Sequence, residues 1–265
     1  MLQRRYVNSG SHLEMGPTRI ERLGRSHLQV GPKTRHMAPD PAQDYVFSAL
    51  DAARPIAVYR RHLPHWRQEG ALYFTTFRLA DSIPSEVLNL WAFERRAWLV
   101  AHGLAGNLPE AEWLARYLAV PEGVRRAFER DEARRYLIEL DRCHGECRLR
   151  DPECAAVVHD ALRFFHGQRL YCGDFAIMPN HVHWIVAPMP GYHLEDLLQS
   201  VKSFSSRRIN ERLRRRGGLW QKESFDHIIR DQTQLERIRS YIKQNPSKAH
   251  LNPGEFIYHQ SEWLK

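Results

Sequence analysis

Two histidines separated by one valine interrupt an otherwise apolar stretch, AIMPNHVHWIV, at residues 176–186. In an extended strand residues i and i+2 face the same side, with Cα atoms about 6.5–7 Å apart. His181 and His183 therefore project together, and Val182 points the other way. Two imidazoles so placed can grip one divalent transition metal ion. A strand is stiff, so the pair is held ready. An isolated His-x-His is more often two solvated histidines than a metal site, and the pair needs a second group to give it a task. The segment SYIKQNP offers one. Tyr241 and Asn245 stand at i and i+4 on one helical face, so a phenol and an amide oxygen can approach the same point. Taken alone, a tyrosine in an amphipathic helix is more often a packed residue with its hydroxyl at the rim.

Other hydrolytic chemistries find less support. The chain contains no G-x-S-x-G and no G-x-x-x-x-G-K-[ST], which disfavours esterase and P-loop readings. Ile185 and Ala187 follow His183 at the alternate positions, so no third histidine extends the motif. The βα repetition of a barrel is missing. CHGEC, with Cys143, His144 and Cys147, could hold zinc with Cys154 as a fourth ligand, but the spacing fits no usual zinc pattern. With Cys172 these make four cysteines in 265 residues, read as reduced thiols rather than a disulfide framework.

Charge narrows the partner. The net charge is +8, and residues 201–250 carry 13 Lys or Arg against 5 Asp or Glu, which is the whole of that surplus. A basic region this concentrated suggests a polyanion, most often nucleic acid, although a solvated basic face fits the count equally well. Lys202, Arg207, Arg208, the run Arg214, Arg215, Arg216, and then Arg230 lie within it. The apolar fraction of 43% suffices for a core. No apolar run approaches the roughly 20 residues of a membrane helix. The opening MLQRRYVNSG has no apolar secretory segment, so the expected location is cytoplasmic.

The elements that must position these groups can be read in order. Residues 1–45 mix Gly, Pro, Ser and Arg without periodicity and are expected to form a disordered extension, with the functional domain over 46–265. ALYFTTFRL reads as a strand. The stretch at about 85–145 reads as a helical insertion with no obvious chemistry. Asp151-Pro152 opens a helix. RLYCGDFAIMP and HVHWIVAP are strands joined at Pro179-Asn180. HLEDLLQSVKSFSSRRINERL is an amphipathic helix with a basic far side. GGLWQKESFDHIIR leads into a short strand. TQLERIRSYIKQNP is a helix expected to close at Pro246. Strand pairs linked by crossover helices imply an α+β fold: a ferredoxin-like antiparallel sheet, helices on one face, and a helical insertion after the first strand.

Taken together, RRHLPHW, ALYFTTFRLADSIP, CRLRDPECA, AIMPNHVHWIV, VKSFSSRRIN, LWQKESFDHIIRD and YIKQNPSKAHL, in this order between about Arg60 and Leu264, resemble the REP-associated tyrosine transposases. These are domesticated relatives of single-strand insertion-sequence transposases in the HUH single-tyrosine superfamily. The resemblance implies cleavage and rejoining of single-stranded DNA at hairpins through a 5′-phosphotyrosine intermediate. It implies that His181 and His183 are metal ligands and Tyr241 the nucleophile. Asn245 stands where the superfamily places a third, amide-bearing ligand, more often Gln. The implied cofactor is Mg²⁺ or Mn²⁺, of which imidazole favours Mn²⁺. The implied partner is single-stranded or hairpin DNA, met at the nucleoid by a monomer. The short link between Arg230 and Tyr241 favours use of the tyrosine in cis. Lys202, Arg207, Arg208, Arg214, Arg215, Arg216 and Arg230 become expected DNA contacts, with Lys202 first because VKSF recurs in the family. Trp220 and Phe225 either stack on unpaired bases or pack the core. Two other readings stay open: a DNA-binding protein of the same fold without catalysis, and a metal hydrolase of small substrates.

Overall fold

The computed structural model describes residues 57–60 and 64–264, so the extension expected over residues 1–45 lies outside the described residues. Two short strands, β1 (Ala57–Arg60) and β2 (Pro64–Arg67), pair antiparallel. β3 (Tyr73–Arg78) follows, then three helices, α1 (Ser85–Ala101), α2 (Glu110–Ala119) and α3 (Glu122–Asp141). They are the expected insertion after the first long strand. Pro84, Pro109 and Pro121 stand at their N-caps, where a missing N–H costs nothing. The insertion keeps a small core of its own from Leu104, Trp113, Tyr117 and Val120.

The chain returns through α4 (Pro152–Arg163), whose cap Asp151 accepts a hydrogen bond from the Glu153 amide at 2.9 Å. The rest is β4 (Leu170–Ile177), β5 (His181–Pro188), α5 (Leu194–Arg212), β6 (Phe225–Ile228), α6 (Gln232–Lys248) and β7 (Ile257–His259). Five strands form one sheet in the order β6-β3-β5-β4-β7, with every pairing antiparallel. The α+β class, the antiparallel sheet and the insertion are as expected. Among the described residues no helix is long and apolar enough to cross a membrane.

One expectation about the layers is corrected. The helices do not all share one face: α4 and α5 lie on one, packing with Phe77, Phe175, Val182 and Trp184. α6 covers the other face, setting Leu235, Ile238 and Ile242 against Phe74, Ala176 and Ile185. The reason lies in β5. All eight of its residues are buried, and it is apolar on both sides beyond His183, so both sides require cover. α6 also runs through Pro246 to Lys248 rather than stopping before it. In the last turn proline forfeits a single bond, to the Ile242 carbonyl, while the Asn245 and Pro246 carbonyls still accept from the Ala249 and Leu251 amides. The edge strand β7 was not anticipated, since three half-buried residues carry no readable period.

A buried carboxylate fastens α6 to the sheet. Asp174 on β4 is 1% exposed, and it accepts from Arg239 Nε at 2.9 Å, from the Ser261 amide at 2.9 Å and from Ser261 Oγ at 2.8 Å. Replacing Asp174 with Ala removes the acceptor these donors share. The expected loss is about 2–3 kcal/mol, less than for a fully enclosed pair because Arg239 reaches water. Urea unfolding checks it: the midpoint should fall with the slope unchanged.

Candidate active site

The position of β5 in the middle of the sheet buries His181 and His183 completely. Each ring is fastened from behind. Asn180 Oδ1 accepts from His181 Nδ1 at 2.7 Å, and Asn180 Nδ2 is itself held by the His144 carbonyl at 3.2 Å. Thr76, directly across the register on β3, places Oγ1 2.8 Å from His183 Nδ1. Phe74 stacks on the His183 ring, centroid to centroid 5.6 Å. With the Nδ1 atoms tied, the two Nε2 atoms turn toward each other at 2.9 Å.

Burial decides their charge. It pushes the His181 pKa down to about 3, and it holds His183 well below the usual imidazole range, helped by repulsion from His181. Both rings are therefore neutral at pH 7. A neutral imidazole has one N–H, and His181 donates its own to Asn180. Its Nε2 is thus a lone pair aimed at His183. A proton on His183 Nε2 satisfies that contact, and so would a cation bound between the rings. The Thr76 hydroxyl serves either tautomer, because it can donate or accept.

α6 brings the remaining groups to the same face. Tyr241 Oη lies 3.2 Å from His183 Nε2, in the same chain. Asn245 Nδ2 donates to Tyr241 Oη at 3.1 Å and to Asp141 Oδ1 at 2.8 Å. Asn245 is fully buried, and its Oδ1 has no hydrogen-bond partner. Burial first, and the nearby Asp141 charge second, hold the Tyr241 phenol far above its ordinary pKa. Burial also raises the Asp141 carboxyl. Ligand atoms of Asp141, His181 and His183 all lie within 4.8 Å of one another. Facing imidazole nitrogens, an orphaned amide oxygen and a carboxylate make a mixed nitrogen and oxygen donor set, which fits a divalent ion of the Mn²⁺ type.

Four expected residues, His181, His183, Tyr241 and Asn245, thus meet at one point. Lys202, expected to hold DNA phosphate, is buried. It sits on the sheet-facing side of α5, where Nζ donates to the carbonyls of Gln221 and Lys222 at 3.1 and 3.2 Å and to Ser224 Oγ at 2.6 Å. It acts as a strut for the loop before β6. Arg207, Arg208, Arg214 and Arg216 are exposed where α5 ends. Arg215 is half-buried and donates to Asn210 Oδ1 at 3.0 Å. Except for Arg208, these arginines line one open concavity with Glu211. Arg230 is exposed just before α6. Trp220 is packed, its Nε1 donating to Ser205 Oγ at 2.9 Å and its ring edge-on to Phe77. The four cysteines are free thiols, and none belongs to a cluster that could hold a metal ion among the described residues.

Sequence reading missed three contributors. Asn180 adjoins the motif, and Thr76 needs only the strand register. Asp141 closes α3, in the insertion whose sequence shows no obvious chemistry, and nothing local marks it.

His227, on β6, lies edge-on to Phe74 and Phe225, and burial pushes its pKa down to about 4. The folded value lies below the unfolded value of about 6.5, so the unfolded chain binds more protons in between. This contribution to stability is intact above pH 6.5 and is lost as the pH falls toward 4. A shift of this size implies at most about 3 kcal/mol, and partial solvent access reduces it to about 2 kcal/mol. His227→Gln should therefore flatten the acid limb of a stability–pH profile by that amount, read from urea midpoints between pH 7 and 4.

Residues 162–245 match the family model described as Transposase IS200 like. The matched segment runs from the end of α4 to Asn245 and contains His181, His183 and Tyr241. Over this segment the chain is similar to that family, which bears out the resemblance read from its motifs. The solved structure of a REP-associated tyrosine transposase bound to a REP hairpin aligns at 12% identity over 72% of this chain and 72% of that chain, with a TM-score of 0.36. No curated protein matches the chain significantly.

Proposed function

Proceeding from the likeness of residues 162–245 to IS200-like transposases, we propose that this chain is a metal-assisted single-stranded DNA transesterase of the REP-associated tyrosine transposase type. It would cut and rejoin DNA at hairpins through a 5′-phosphotyrosine. The observation that carries the proposal is the placement of Tyr241 Oη 3.2 Å from His183 Nε2 within one chain.

Tyr241 Oη attacks the phosphorus in line with the departing 3′-oxygen. A bond from phosphorus to Oη forms as the bond to the 3′-oxygen breaks. The phenol proton ends, net, on the released 3′-hydroxyl. The phosphodiester count is unchanged, so reversal by a 3′-hydroxyl rejoins DNA without a nucleotide cofactor. Asn245 Nδ2 fixes the approach of Tyr241 by donating to Oη. Phe74, edge-on at 6.2 Å, holds the ring from the side. Burial keeps the phenol protonated at neutral pH, and a protonated phenol is a poor nucleophile. His181, His183 and Asn245 would hold Mg²⁺ or Mn²⁺, which supplies positive charge against the charge developing on the phosphate. The exposed Arg207, Arg208, Arg214, Arg216 and Arg230 would hold DNA phosphates, a role independent of base sequence.

The test is direct. Labelled single-stranded hairpin oligonucleotides are incubated with the protein and Mn²⁺, Mg²⁺ or EDTA, and resolved on a denaturing gel. A covalent protein–DNA band that needs the metal is expected. Tight DNA binding with no such band under any condition would instead favour a non-catalytic DNA-binding protein.

A further inference from the structure

We infer that Asp141 is a further metal ligand of this site, supplied by the helical insertion. The inference rests on the reading of His181, His183 and Asn245 as a cation site and adds to it a charged donor from another part of the chain.

Three observations carry it. First, an Asp141 oxygen shares one cluster with His181 and His183, all ligand atoms lying within 4.8 Å of one another. Second, Asp141 Oδ1 accepts from Asn245 Nδ2 at 2.8 Å, while the oxygen of that amide is wholly buried and has no hydrogen bond. An orphaned buried acceptor is costly unless something positive meets it. Third, Asp141 is the last residue of α3. A carboxylate there faces the negative end of the helix dipole, so local helix stability does not explain it.

Charge balance points the same way. The two imidazoles and the amide are neutral, and a divalent ion held by them alone would keep its full charge in a buried site. One carboxylate halves that charge. It also adds a hard oxygen donor, the type Mg²⁺ and Mn²⁺ prefer. The insertion then completes the site as well as decorating the fold.

The experiment is a Mn²⁺ titration of the full chain without DNA, followed by the loss of the free-ion electron paramagnetic resonance signal. It compares wild type, Asp141→Asn, Asn245→Ala, the double variant and His183→Ala. Asparagine keeps the shape and the oxygen that accepts from Asn245, so circular dichroism and Tm should match wild type. Asp141→Asn should weaken Mn²⁺ binding by about 10–100-fold. If Asp141 binds the ion itself, most of that loss should persist when Asn245 is already Ala. Wild-type affinity in Asp141→Asn, with binding lost in His183→Ala, would overturn this inference alone. An effect that vanishes in the Asn245→Ala background would make Asp141 only a positioning residue and overturn it too. No Mn²⁺ binding by wild type would overturn the reading of the whole site.

Discussion

Tyr241→Phe should abolish the covalent protein–DNA adduct, a fall of more than about 10³-fold, while leaving the fold and DNA binding nearly untouched. The phenyl ring keeps the edge-on contacts with Phe74 and His183, whose centroids lie 6.2 and 5.1 Å away. Only Oη disappears. Asn245 Nδ2 retains its bond to Asp141 Oδ1, so no buried donor is stranded. The cost in stability should therefore stay near 1 kcal/mol. Adduct formation has no substitute for the lost oxygen, since no water can form a protein–DNA bond. A denaturing gel reads the adduct, and a filter-binding titration reads the affinity, which should stay within about threefold. An adduct that survives in Tyr241→Phe would move the nucleophile to another residue.

His183→Ala should reduce cleavage by about 10³-fold and erase any rise in Tm caused by Mn²⁺. The ring carries the Nε2 that faces both His181, at 2.9 Å, and Tyr241, at 3.2 Å. Without it, His181 cannot chelate with a strand neighbour. A bound ion worth several kcal/mol to the developing phosphate charge corresponds to that factor, because each 1.36 kcal/mol is tenfold. Stability without metal should fall by only about 1–3 kcal/mol. The lost packing against Phe74 and the cavity destabilise, whereas removal of a buried polar ring offsets part of that. Thermal melts with and without Mn²⁺ separate the two effects, since a ligand raises Tm only if it binds the folded state. An unchanged Mn²⁺ shift in His183→Ala would place the ion elsewhere.

The features legible without tertiary structure share one property: they are repeats of a single element. His181 and His183 face together because a strand has period two, and Tyr241 and Asn245 because a helix has period 3.6. The helix start at Asp151-Pro152 and the turn at Pro179-Asn180 are equally local, set by residues whose dihedrals or hydrogen bonds are restricted. The α+β class followed from the order of such elements.

The rest depended on what packs against what. Lys202 reads as a basic residue on an amphipathic helix, yet three acceptors from the loop before β6 enclose its ammonium. α6 covers the face opposite α4 and α5 because β5 is buried on both sides, and only that placement brings Tyr241 to the histidines. Asp141 lies 104 residues before Asn245, and no periodicity links them. Backbone geometry therefore let the sequence alone determine the two pairs and the elements that bear them. The tertiary structure decided that the pairs meet, that Thr76 and Asn180 orient the rings, and that the insertion adds a carboxylate. Contacts between elements depend on which faces must be buried together, which no single stretch of chain records.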